Sequence, residues 1–234
     1  MTSLQLTVDS SPMAETDSGF SSWNSSLGKR LLDIIGSSIV LVLASPLMLL
    51  VAAAVKTGSS GSVFFRQERV GKGGAEFAML KFRTMYYRPS DGGPGLTRKG
   101  DNRVTPVGKL LRKWKLDELP QFLNVLRGQM SLIGPRPDLA DFYATLNPER
   151  RQILRLKPGI TGWATLQFRD EESVLAAVSR EEMVNFYICN LLPRKVDLDL
   201  SYARRATLKG DIGILLRTFA AIFSTGAQPS RDNR

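Results

Sequence analysis

"IIGSSIVLVLASPLMLLVAAAV", Ile34 to Val55, runs for 22 residues without a charge, long enough for a helix to cross a hydrocarbon core of ~30 Å at ~1.5 Å per residue. A buried core helix and a cleaved signal peptide are the competing readings. Uncharged runs of this length are rare in soluble domains, and the polar region ahead of it is too long and too acidic for a signal peptide. Ser45 and Pro46 sit in the middle, where proline removes one backbone hydrogen bond and clashes with the previous turn. Lys29 and Arg30 precede the segment and Lys56, Arg66 and Arg69 follow it, so charges that favour the cytoplasm lie on both flanks. A straight crossing satisfies one flank. A helix that bends at Ser45-Pro46 and leaves through the same leaflet satisfies both, with the carbonyl freed by proline bonded by Ser45 or another side chain. The expectation is a re-entrant membrane helix over 29–56, with a kinked span as the alternative.

Outward from this helix, residues 1–28 carry eight serines and few large apolar side chains, and 224–234 have the same character. Such compositions do not repay the entropy of ordering and predict disordered tails. Residues 57–223 remain for a cytosolic domain. The chain has 234 residues, 32 Lys and Arg against 22 Asp and Glu, and a net charge of +10, which directs attention to anionic partners: nucleic acid, an anionic membrane surface or a phosphorylated substrate. Histidine is absent, which removes Ser-His-Asp and Cys-His catalysis and the His-based zinc signatures. There is no Walker P-loop, and the Gly71, Gly73, Gly74 cluster does not match the dinucleotide fingerprint. Catalysis is left to carboxylates, Lys, Arg or a metal. The single cysteine, Cys189, excludes a disulfide framework and reads as a small buried hydrophobe.

"SVFFRQERVGKGGAEFAMLKFRTM" reads as two strands around a glycine turn, a hairpin. "YYRPSDGGPGLTRKGDNR" is turn-rich and reads as a mobile loop. Thr105 as cap and Pro106 at the first helical position open a helix whose Val107, Leu110, Leu111 and Trp114 form an apolar stripe opposite a basic face. That face suits either a membrane surface, with Trp114 at the headgroups, or solvent. A second helix is expected from around Asp117 to Gly128. Near the carboxyl end Ile212, Leu215, Leu216, Phe219, Ile222 and Phe223 repeat at helical spacing, facing core or membrane.

Between the two middle helices lies "KLDELPQ". From Lys109 to Arg136 the only acids are Asp117 and Glu118, among Lys109, Arg112, Lys113, Lys115, Arg127 and Arg136. Asp117 as an N-cap and Glu118 near a positive helix end are the bland readings. They leave the surrounding arginines unexplained. Adjacent carboxylates repel, and burial raises at least one unless cations or a metal offset the repulsion. An aspartate at a helix N-terminus beside arginines is a competent nucleophile or Mg²⁺ ligand, and the same helix end favours phosphate oxygens. The arrangement suits phosphoryl transfer, in which a divalent metal and arginine relieve the like-charge repulsion. Arg136 is held between prolines in "GPRP" and pre-aimed at an anion, unless it is merely an exposed Arg in a rigid turn. Lys81 and Arg83 in "KFRTM" end the second strand and point toward the same place, or form an ordinary polar strand face.

"KRLLDI", the apolar segment broken by "SP", "FFRQERVGKGGAEF", "KFRTM", "VGKLLRKWKLDELPQFLNVLRGQMSLIGPRP" and "KPGITGW" stand in this order. Together they resemble the motifs of the bacterial sugar transferases, the monotopic polyprenyl-phosphate phosphoglycosyl transferases, closely over Lys29 to Trp163 and more weakly through the last helix. The resemblance implies an α/β, membrane-associated, monotopic protein. Its parts would be a re-entrant N-terminal helix and a small cytosolic helix-and-hairpin domain with surface amphipathic helices. It implies transfer of a sugar 1-phosphate from a UDP-sugar to undecaprenyl phosphate, with release of UMP, at the cytoplasmic face of the bacterial inner membrane. This would be the first step of exopolysaccharide or glycoconjugate assembly, dependent on Mg²⁺. The family's Asp-Glu dyad falls on Asp117 and Glu118, its preceding arginine on Arg112, and its Pro-Arg-Pro motif on Pro135, Arg136 and Pro137. Asp117 would then be the nucleophile that forms a phosphosugar-aspartate, with Glu118 supporting metal binding or proton handling. Arg112, Arg136, Lys81 and Arg83 would bind phosphate. After Trp163 the family often continues with a glycine- and arginine-containing stretch, whereas "ATLQFRDEE" follows here, so the contact to sugar or uridine is open, with Arg169 a candidate. Two other functions stay in view: a membrane-anchored basic adaptor that binds anionic lipid or nucleic acid, and direct attack by the lipid phosphate with Asp117 only a metal ligand. No recognised nucleic-acid module is present, and none is expected to bind.

Overall fold

Ser26 opens the longest helix of the chain by accepting a hydrogen bond from the Lys29 amide at 3.1 Å, and the apolar run behind it carries this helix, α1, from Leu27–Gly58. The computed structural model describes residues 19–86 and 96–223. The helix is continuous through Pro46. The carbonyl that proline orphans is that of Val42, four residues earlier, and Ser45 Oγ donates to it at 2.8 Å, which satisfies a group that lipid cannot. By length and composition α1 is compatible with a membrane anchor.

No residue from 38 to 50 is buried, and Ile39, Val42, Leu43, Leu47, Leu49 and Leu50 are exposed. Both ends of α1 are nevertheless tied to one body. At the N-terminal end Lys29 Nζ meets Asp211 Oδ2 at 2.6 Å. Arg30 donates to the carbonyls of Val125 and Leu126 at 2.7 and 2.8 Å, and Asp33 accepts from Ser131 Oγ and the Leu132 amide, both at 2.9 Å. At the C-terminal end Val51 and Val55 pack with Phe82 and Leu111, each side chain contributing roughly 2 kcal/mol by leaving water.

The hairpin forms as its alternation and glycines predict: β1 (Phe64–Val70) pairs antiparallel with β2 (Glu76–Phe82), Phe64 opposite Phe82 and Val70 opposite Glu76. Gly73 and Gly74 turn it at positive φ, 74° and 83°, where a Cβ is strained. Next come α2 (Pro106–Lys113), α3 (Gln121–Leu126), β3 (Ser131–Ile133), α4 (Ala140–Ala144), α5 (Pro148–Arg151) and β4 (Gly159–Thr161). β3 and β4 pair in parallel, Ser131 with Gly159 and Ile133 with Thr161. The chain ends with α6 (Trp163–Gln167), α7 (Glu171–Ala176), α8 (Met183–Phe186), α9 (Leu192–Arg204) and α10 (Leu208–Phe223), a π-helical turn, Tyr187–Leu191, joining α8 to α9. One core, around Phe142, Tyr187 and Val196, sits under α4 and α9. A second, around Met79, Val125, Met130 and Ile214, lies between β2, α3, β3 and α10.

Three expectations are corrected. Residues 19–28 are not a loose tail. Trp23 Nε1 donates to Asp211 Oδ2 at 2.8 Å and Asn24 Nδ2 to the Ala203 carbonyl at 2.7 Å, so one aromatic anchors a stretch whose composition looked unfoldable; residues 1–18 and 224–234 lie outside the described residues. Cys189 is exposed, because the π-helical turn directs Tyr187 and Leu191 inward and leaves the position between them outside. The helix expected from Asp117 instead begins at Gln121, after a separate 3-10 turn, Leu116–Glu118. Of the turn-rich loop, residues 87–95 lie outside the described residues, and the return is fixed by a bridge between Met85 and Val104.

Candidate active site

The corner between α2 and α3 is built by three local devices. Thr105 caps α2, its Oγ1 accepting from the Gly108 amide at 2.9 Å. Gly108 lies so close to the end of the hairpin that a Cβ there would stand 2.1 Å from the Thr84 carbonyl oxygen. Lys115 then turns the chain at φ 55°, the only non-glycine positive φ among the described residues. Such a conformation costs roughly 1 kcal/mol or more and is characteristic of functional sites. The turn places Asp117 inward, 6% exposed, with Glu118 beside it. Asp117 caps no helix; the residue before α3 is Pro120.

The two carboxylates are in opposite electrostatic states. Arg136 grips Glu118 with both terminal nitrogens, Nη2 to Oε1 at 2.6 Å and Nη1 to Oε2 at 3.3 Å, and Lys81 Nζ lies 3.9 Å from Oε1. Burial by itself raises the Glu118 carboxyl, but Arg136, Lys81 and Lys115 overcome it and hold the group far below its usual range. For Asp117 burial wins: with the Glu118 charge beside it, the carboxyl is raised despite Lys81, Arg112 and Lys115. Burial also lowers Lys81 to about 8, against the pull of Glu118. Asp117 Oδ1 is buried with no hydrogen-bond partner among the described residues, and so are both amide atoms of Gln121, one turn on.

Arg136 is fixed from behind. Tyr143 OH donates to its carbonyl at 3.3 Å. Two residues later Asp138 accepts from Arg69 Nη1 at 2.9 Å and from Tyr187 OH, which also receives a hydrogen bond from Lys195 Nζ at 3.1 Å. Beneath this loop Gly134 and Gly159 touch backbone to backbone, a Cβ on Gly159 falling 2.1 Å from the Gly134 nitrogen. Asp199 accepts from the Ala164 amide at 2.9 Å, and burial raises its carboxyl to about 7.

Beside the corner opens a cavity of about 1550 Å³. Its wall includes Arg98, Lys99, Arg112, Lys115, Glu118 and Arg136 together with Val40, Phe122, Leu132, Ile160, Leu215 and Phe219. Asp117 stands off the wall that Glu118 forms. Arg112 reaches Thr84 Oγ1 at 3.0 Å through Nε and Glu172 Oε1 at 3.3 Å through Nη1. The structure therefore brings together Asp117, Glu118, Arg112, Arg136 and Lys81. Arg169 also lies on the wall. Arg83 does not belong to the site: it is buried, and Nη2 donates to the carbonyls of Val55 and Ser59 at 3.3 and 2.7 Å. Those are terminal carbonyls of α1, which attract a cation more directly than a distant phosphate does. Sequence reasoning missed Arg98 and Lys99, hidden in a turn-rich segment, and the wall supplied by α10.

No group of three or more acidic, Cys or His side chains suited to a metal occurs among the described residues. The dyad still fits Mg²⁺, which takes one or two carboxylates and completes its shell with water and substrate phosphates. The free Asp117 Oδ1 is the oxygen available, since both Glu118 oxygens are engaged by Arg136.

The model of the family described as bacterial sugar transferase matches residues 24–225. Over 202 residues the chain is 39% identical to the UDP-glucose:undecaprenyl-phosphate glucose-1-phosphate transferase of Caulobacter vibrioides, covering 85% of this chain and 71% of that protein. Over 141 residues it is 48% identical to the UDP-N-acetylgalactosamine-undecaprenyl-phosphate N-acetylgalactosaminephosphotransferase of Aeromonas hydrophila, covering 58% of this chain and 33% of that protein. It is 35% identical over 211 residues to the exopolysaccharide production protein ExoY of Rhizobium meliloti, covering 84% and 85%. The chain thus spans a third of the second relative and most of the first and third.

Proposed function

The chain belongs to the bacterial sugar transferase family, and from that premise we propose that it transfers a sugar 1-phosphate from a UDP-sugar to undecaprenyl phosphate and releases UMP, as a first step of exopolysaccharide or glycoconjugate assembly. One observation carries the reading. A carboxylate pair split by its surroundings, one oxygen free and the partner locked to arginine, adjoins a cavity lined both by cations and by apolar side chains, Val40 of α1 among them.

The chemistry proceeds by two displacements at one phosphorus. Asp117 attacks the phosphorus that carries the sugar, the bond to the bridging oxygen breaks, and UMP leaves with that oxygen and its electron pair. An oxygen of the lipid phosphate then attacks the same phosphorus, and Asp117 departs as carboxylate. Glu118 keeps Arg136 in place, and Arg136 and Arg112 present positive charge toward the phosphates. Asp117 would be the residue to hold Mg²⁺, which when bound would supply positive charge against the repulsion between carboxylate and phosphate. The re-entrant topology finds support in the attachment of both ends of α1 to one body and in the basic residues on both flanks. With it goes a location at the inner membrane with the catalytic body in the cytoplasm.

The test is UMP release by the purified protein across UDP-hexoses and UDP-acetamidosugars, with undecaprenyl phosphate and Mg²⁺ present. Release with no donor in the panel, together with salt-sensitive binding to DNA, would replace the transferase by the basic adaptor. Exchange of labelled UMP into UDP-sugar without lipid reports the covalent step. Exchange that survives Asp117→Asn would leave Asp117 as a metal ligand only.

A further inference from the structure

We propose that the apolar residues lining the cavity form a subsite for the isoprenoid chain of the polyprenyl phosphate acceptor, with α10 as its main wall. This rests on the transferase reading above and adds the path by which the acceptor reaches the dyad.

Volume is the first argument. Sites for single small ligands occupy about 300–1000 Å³, and this cavity measures about 1550 Å³, so a nucleotide sugar leaves a large part of it unfilled. The second is composition. Besides Arg98, Lys99, Arg112, Arg136 and other polar side chains, the wall carries Phe122, Leu132, Ile160, Leu215, Phe219 and Ile222. Apart from the face of its base, a nucleotide sugar is polar and has little to set against that many apolar side chains. An amphiphile with a phosphate head and a hydrocarbon tail matches both kinds of lining.

α10 carries the pattern in its spacing. Leu215, Thr218, Phe219 and Ile222 follow at i, i+3, i+4 and i+7, one helical face turned to the cavity. Leu216 lies off that wall and is 66% exposed, whereas Phe219 is 64% exposed and Phe223 61%. The rings of Phe219 and Phe223 lie 4.8 Å apart, and Trp114 stands 6.2 Å from Phe223, so the open edge of the wall is aromatic. The entry route is continuous with the anchor. Val40 belongs to α1 and lines the cavity, and its neighbours Ile39, Val42 and Leu43 are exposed apolar residues in the segment with no buried position. A prenyl chain lying along α1 would therefore meet apolar side chains up to the cavity wall at Val40.

The test uses the full chain in nanodiscs, with Phe219→Ala/Phe223→Ala as the variant and Leu216→Ala as the control. Both altered phenylalanines are more than half exposed, so the fold survives. UMP release is measured at saturating UDP-sugar against undecaprenyl phosphate and against farnesyl phosphate. The expected result is a rise of tenfold or more in KM for the long acceptor, a change of less than twofold for the short one, and an unmoved KM for the donor; Leu216→Ala shows no such split. Equal effects at both chain lengths, no effect, or a loss that Leu216→Ala reproduces would overturn the subsite, the last outcome assigning α10 to bilayer docking. A readout without turnover separates this failure from failure of the transferase reading. A benzophenone-bearing prenyl phosphate labels α10 in the wild type, and undecaprenyl phosphate competes while phosphatidylglycerol does not. Labelling elsewhere, or equal competition by phosphatidylglycerol, refutes the proposal whether or not UMP is released.

Discussion

Replacing Arg136 by Met strips Glu118 of both guanidinium hydrogen bonds, at 2.6 and 3.3 Å, and leaves Lys81 at 3.9 Å as its remaining ion-pair partner. Removing one member of a buried pair costs about 3–5 kcal/mol, because the other charge stays buried without compensation. The Glu118 side chain is 12% exposed but that of Arg136 is 30% exposed, and Lys81 persists, so the loss should sit at the low end, about 3 kcal/mol. For a chain of this size that lowers the melting temperature by roughly 6–12 °C. Glu118→Gln leaves Arg136 without its carboxylate and should cost somewhat less, since arginine is the more exposed partner. The double variant removes both charges, and its loss should fall short of the sum by about 2 kcal/mol. Thermal unfolding of the four proteins in one detergent, followed by intrinsic fluorescence, closes the cycle. Losses that add to within about 0.5 kcal/mol would mean that the pair is not coupled, and the account of Glu118 as the locked half of the dyad would fail.

Arg83→Ala should cost about 2 kcal/mol, the worth of charge-assisted hydrogen bonds to the end of α1, while KM for the donor stays constant; a selective rise in that KM would return Arg83 to the site. Asp199 titrates near 7 where it is buried and near 3.8 where it is not. Both states hold the proton below about pH 4, and above about 7 the native state must ionise a buried carboxyl, so its penalty grows across that window to roughly 4 kcal/mol. Asp199→Asn should therefore stabilise the protein relative to wild type more at pH 8 than at pH 5 in urea titrations, and an equal effect at both would contradict the raised carboxyl. Gly108→Ala gains ~1 kcal/mol of helix propensity, but its methyl meets the Thr84 carbonyl at 2.1 Å. A net loss of about 2 kcal/mol is expected by thermal unfolding, and a more stable variant would show that α2 moves freely on the hairpin.

What was legible in the chain was local. The cap at Thr105, the glycine turn, the apolar run around Pro46 and the Val42 carbonyl bonded by Ser45 all depend on neighbours within a few residues. The dyad and Arg136 were found because two acids in a basic stretch and an arginine between prolines are unusual. What escaped depends on pairing across the chain. Trp23 gave no hint of Asp211, 188 residues away. Arg83 was assigned to phosphate because nothing in its surroundings announces the end of α1, 24 residues earlier. Cys189 was placed inside because only the π-helical turn decides which of its neighbours faces the core. The cavity was invisible for the same reason: its walls come from α1, the loop before α2, and α10.

The clamp between Lys29 and Asp211 also governs the order of biogenesis. The two residues are 182 positions apart, and at about 5–20 residues per second a ribosome takes roughly 10–40 s to deliver the aspartate after the lysine. Arg83, the Val125 carbonyl, Ser131 and Leu132, which hold α1 elsewhere, are likewise made after it. The apolar helix therefore leaves the ribosome before any of these partners exists, and the Asp211 clamp forms after the others. Lipid or a chaperone has to shelter it at the start of that interval, and a nascent chain arrested before residue 211 would emerge with the Lys29 clamp unlatched.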